Sequence, residues 1–120
     1  MTIKEYPAEI ERAALELHQV SSEYWDVKEI LRGIKAKAEA DAYLTKGEDE
    51  KPLYKNDRER AHAVCEALSD SAAYQRNLEL EQQLDARKAI GAAYVERLRG
   101  DFSIALIDYE VERLGNRRVA

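Results

Sequence analysis

Glu59-Arg60-Ala61-His62 is an E-x-x-H step, and Glu66 stands four residues after His62. On a helix these side chains share one face, which is how carboxylate-bridged di-metal centres gather ligands inside helix bundles. Such a centre needs two E-x-x-H steps and two more inward glutamates. Here there is one step, and His18 has none of its own. A solvated helix face accounts for the same residues, so no metal ligand and no cofactor is expected. Cys65 lies three residues from His62, but no third group is placed to orient the imidazole for nucleophilic catalysis. The thiol reads as a small apolar side chain on the inner face of a short helix. Phosphate-binding glycine loops, dinucleotide fingerprints and nucleophile elbows do not occur. These residues predict a protein that is not an enzyme.

Two other groups carry recognition chemistry. Trp25 shares a stripe with His18 and Arg32, off the face used by its neighbour Tyr24. It either packs at an internal or dimer contact or anchors a partner protein. Ile30, Tyr94 and Ile107 also lie off the main apolar faces and join Trp25 as candidate protein-interaction residues. Arg113, Arg117 and Arg118 gather at a helix C-terminus, where the dipole is negative, and are the candidates for touching nucleic-acid phosphates. The net charge of −5 opposes an unaided grip on nucleic acid or anionic lipid.

The elements that must position these residues are helices. Ile10, Ala13, Leu17, Val20, Tyr24, Val27, Leu31, Ile34 and Ala38 alternate three and four residues apart, the a/d seam of a heptad repeat. With Pro7 in the first turn they predict a helix over about 7–45. The next seam position falls on Asp41, so the apolar grip is expected to stop before the loop at 46–55, where Gly47 can cap and Pro52 blocks continuation. Asn56 and Glu59 form a capping box for a short helix over about 57–69, with Ala61, Val64, Cys65 and Leu68 on its apolar face. Ser69-Asp70-Ser71 favours a break and a new N-cap; a kinked but continuous helix is the alternative. A second long helix is expected over about 72–114, ending at Gly115-Asn116. Its face, Leu80, Leu84, Gly91, Val95, Leu98, Phe102, Leu106 and Tyr109, drifts at closer to eleven residues per three turns than seven per two.

The fold class that follows is all-α: one domain of 120 residues, a long antiparallel helical hairpin with a short intervening helix, completed as a helical bundle on dimerisation. Two prolines and five glycines in the whole chain agree with long helices. One cysteine allows no internal disulfide, and no apolar run approaches a membrane span, so a cytoplasmic protein is expected.

Asn56-Asp57-Arg58-Glu59-Arg60, Leu68-Ser69-Asp70 and Tyr74-Gln75, followed by a long Glu/Leu/Arg helix, resemble small helical proteins of bacteriophages and prophages. The likeness covers residues 56–114. It implies a non-enzymatic accessory role, since some such proteins are encoded beside single-strand annealing recombination proteins, and it assigns no catalytic residue. The leading expectation is a helical interaction protein that self-associates, a dimer being favoured, and binds a protein partner. An accessory single-stranded nucleic-acid-binding protein in recombination and a metal-binding bundle enzyme are the alternatives.

Overall fold

The computed structural model describes the backbone of residues 1–119 and the side chains of residues 1–116. The described residues form three helices and no strand: α1 (Tyr6–Leu44), α2 (Asp57–Asp70) and α3 (Ala72–Val119). The fold is all-α. The helices are shared between two compact units, one formed by residues 1–22 with 85–120 and the other by residues 23–84.

In the first unit the start of α1 lies antiparallel to the later part of α3. Tyr6 stacks on Phe102 with ring centroids 5.5 Å apart, and Glu9 meets Tyr94. Ala13, Val95 and Leu98 are buried together, with Tyr6, Ile10 and Leu17 packed against them. Gly91 lets the helices approach closely here, because a Cβ at that position would lie 3.1 Å from Leu17 Cδ1.

The second unit buries Val27, Leu31 and Ala42 of α1, Val64 of α2 and Leu84 of α3. The burial of Ala42 extends the α1 stripe past Ala38, four residues on, rather than ending it at Asp41. Gly47 does not cap α1. The helix closes with Thr45 N–H donating to Asp41 O, and Gly47 instead opens a small antiparallel turn in which Lys46 bridges Pro52. Glu50 N–H donates to Gly47 O and Gly47 N–H to Lys51 O. Glu50, not a glycine, takes the left-handed conformation, with φ of 59°.

The expected capping residues form at α2: Asn56 Oδ1 accepts from Glu59 N–H at 2.8 Å, and the Glu59 carboxylate accepts from Lys55 N–H at 2.8 Å. The break before α3 is a single residue. Ser71 alone is non-helical, its N–H donates to Leu68 O, and its Oγ accepts from Tyr74 N–H at 3.1 Å.

Two expectations about α3 are corrected. The helix passes through Gly115 to Val119, because a glycine cap needs a left-handed φ and no described glycine has one. Its inward face is a strict heptad rather than an eleven-residue drift. Tyr74, Asn77, Glu81, Leu84, Lys88, Gly91, Val95, Leu98, Phe102 and Ala105 are all buried or half-buried, alternating three and four apart. Leu80, Leu106 and Tyr109 are exposed. The repeat is masked because Asn77, Glu81, Lys88 and Gly91 occupy seam positions. Long polar side chains can do so by laying their stems along the seam, while Asn77 Nδ2 donates back to Ala73 O at 2.8 Å.

Candidate functional site

Glu9, Arg12 and Glu16 follow one another up one face of α1 at helical spacing. Arg12 donates through Nε to Glu9 Oε2 at 3.0 Å and through Nη1 to Glu16 Oε2 at 2.9 Å. Across the helix pair, Tyr94 Oη donates to Glu9 Oε1 at 2.8 Å. The Arg12 hydrogen bond first, and the Tyr94 hydroxyl second, hold the Glu9 carboxyl down at about 2. The same carboxylate pushes the Tyr94 phenol above its ordinary value and Arg12 upward too. These hydrogen bonds clasp the start of α1 to α3 within the first unit. Beside them lies an open groove of about 240 Å³ floored by Ala13, Leu17, Val20, Ile90 and Gly91. Glu16, Arg87 and Tyr94 also line it.

The second unit has a different centre. The Arg60 guanidinium sits 4.4 Å over the Tyr43 ring, donates to Tyr54 O at 3.4 Å and pairs with Asp57. The Asp57 bond is the main reason its pKa is raised. Packing Arg60 onto α1 turns α2 so that Arg60, Ala63, Val64 and Leu68 face inward. Cys65 is therefore exposed, not on the buried face expected from sequence. It lines an open groove of about 390 Å³ with Lys35, Glu39, Tyr43, Ala61 and Val64.

The E-x-x-H residues stand in solvent. His62 Nε2 lies 3.3 Å from Glu66 Oε1, both side chains largely exposed, while Glu59 is used in the α2 cap. No group of three or more potential metal ligands converges among the described residues.

The four candidate interaction residues divide between the units. Trp25 and Ile30, in the second, are 54% and 48% exposed; Tyr94 and Ile107, in the first, are 38% and 63%. The Trp25 ring meets Tyr24 edge-on at 5.5 Å. Tyr94 spends its hydroxyl on Glu9, whereas Ile107 belongs to a longer exposed row with Ile104, Val111 and Leu114. Sequence reasoning singled out Ile107 from that row and missed Val111 and Leu114. The signal that finds them is their 3-4-3 spacing, which duplicates the heptad of the seam on another face. Of the three candidate phosphate-binding arginines, Arg113 has Nη1 3.9 Å from Glu110 Oε1. The side chains of Arg117 and Arg118 lie outside the described residues. No described helix is long and apolar enough to cross a membrane.

The chain matches no protein-family model, no curated protein and no solved structure.

Proposed function

We propose that this chain is a non-enzymatic association protein that presents apolar helix faces to other helices, those of its own copies and of a protein partner. The observation that carries the reading is an imbalance among the described residues. Sixteen large apolar side chains are exposed, from Leu15 and Trp25 to Val111 and Leu114, against nine buried core residues that are all Ala, Val or Leu. Covering a large apolar side chain yields roughly 1.5–3 kcal/mol, so contiguous rows of them favour association. The lone cysteine suits a reducing cytoplasmic setting. The resemblance to phage and prophage helical proteins supports an accessory rather than catalytic role.

Light scattering coupled to size-exclusion chromatography tests the self-association. The full chain elutes as a dimer or larger species at tens of micromolar. A monomer persisting at high micromolar concentration overturns it.

A further inference from the structure

We propose that the segment joining α1 to α2, together with the first turn of α2, carries a binding site for a small phosphate monoester, held by Lys51, Lys55 and Arg60. The site is independent of the association surfaces, and neither stands or falls with the other.

Lys51, Pro52, Tyr54, Lys55 and Arg60 line one open cavity of about 320 Å³ in the second unit. All three charged residues of this lining are cations, in a chain whose net charge is −5. The same stretch holds Glu48, Asp49, Glu50, Asp57 and Glu59, and none of them lines the cavity. Three of these acids are engaged elsewhere. Asp49 Oδ1 accepts from Lys51 N–H at 3.2 Å, Glu59 Oε2 accepts from Lys55 N–H at 2.8 Å, and Asp57 pairs with Arg60. The first two bonds fix the backbone under both lysines and leave their ammonium groups unspent. Among the described residues, neither Lys51 nor Lys55 has an ion-pair partner.

Arg60 is the anchored member. Its guanidinium lies over the Tyr43 ring, donates to Tyr54 O, and belongs to a side chain only 20% exposed. A cation already in place loses little side-chain freedom when an anion arrives. Charge and size then identify the ligand. Asp57 balances Arg60, so the two lysines leave two positive charges unmatched. A phosphate monoester carries about −1.5 to −2 near neutral pH on three acceptor oxygens, whereas a diester carries a single charge. The cavity sits at the lower end of small-ligand sites, roughly 300–1,000 Å³, which suits a compact ester and not a polymer strand. Carboxylates close by oppose any anion, so the expected affinity is millimolar and weakens as salt screens the lysines.

Nitrogen–proton NMR of the full chain, titrated near neutral pH with methyl phosphate at constant ionic strength, reads the site. The amides of Lys51, Tyr54 and Lys55 shift saturably, inorganic phosphate acts comparably, and dimethyl phosphate binds about fivefold more weakly. The double variant Lys51→Ala, Lys55→Ala weakens methyl phosphate at least about tenfold. It keeps its helical circular dichroism, because both residues are exposed. Arg113→Ala leaves binding unchanged. Absent shifts, shifts that chloride reproduces, shifts centred elsewhere, or binding undiminished in the double variant overturn the site. A diester that binds as tightly as the monoester overturns the ligand. A 5′-phosphorylated oligothymidylate that binds far more tightly than methyl phosphate overturns the small ester in favour of a strand. Light scattering reads self-association separately, so each of these failures leaves that reading standing.

Discussion

Tyr94 and Glu9 are eighty-five residues apart in sequence, and their hydrogen bond ties α1 to α3 in the first unit. Its signature is in titration. The Glu9 carboxyl moves from 4.5 to about 2 on folding, a depressed value. Its stabilising contribution is therefore fully present above about pH 4.5 and is lost as the pH falls toward 2. Tyr94→Phe removes one donor and raises the Glu9 midpoint, which stays below 4.5 because Arg12, the larger influence, remains. Arg12→Ala raises it further. Carboxyl carbon shifts followed by NMR through the acid range check both, and an unmoved midpoint in Tyr94→Phe refutes the bond. Glu50 offers a backbone test. A non-glycine residue at φ of 59° carries left-handed strain that glycine does not, partly offset by the greater freedom glycine loses on folding. Glu50→Gly is expected to stabilise the protein by about 0.5–1 kcal/mol, read as a rise in melting temperature.

At the scale of the helix, Gly33 and Gly91 look alike in sequence and behave differently. A Cβ at Gly33 meets nothing within 4 Å, whereas one at Gly91 presses on Leu17. Gly33→Ala is expected to stabilise by about 0.5–1 kcal/mol in chemical denaturation. Gly91→Leu has no such room and lowers the midpoint. The contrast shows what was legible in the sequence. The α1 stripe could be read because every seam position from Ile10 to Ala38 carries an apolar residue. The α3 seam could not, because Asn77, Glu81, Lys88 and Gly91 hold seam positions while Leu80 and Leu106 stand outside them. Hydrophobicity followed the exposed rows as well as the buried one, so the apparent period was a blend of two heptads. The capping chemistry at Asn56, Glu59 and Ser71 was readable because it is local. Cys65 was misplaced because the rotation of α2 is set by Arg60 over Tyr43, a pairing between elements that no spacing within α2 reveals. Gly47 was misassigned for a related reason: its partner is Lys51, across a turn rather than along the helix.

At the scale of the whole molecule, the two units differ in how the chain supplies them. The second is one uninterrupted stretch, residues 23–84, while the first is assembled from both ends of the sequence. Joining residues 22 and 85 across an unfolded intervening stretch costs about 3–4 kcal/mol of loop-closure entropy, a cost largely met once that stretch has folded. Under conditions where the chain is monomeric, amides of Val27, Leu31 and Leu84 are therefore expected to resist hydrogen exchange longer than those of Ala13, Val95 and Leu98. Equal protection in the two sets, measured by NMR, contradicts that order. The chain's discontinuity thus becomes a timetable: the contiguous unit can close through local contacts, and the unit made of the two chain ends follows. On unfolding the same order is expected in reverse, with the clasp of Tyr94 on Glu9 among the first contacts to open and among the last to be made.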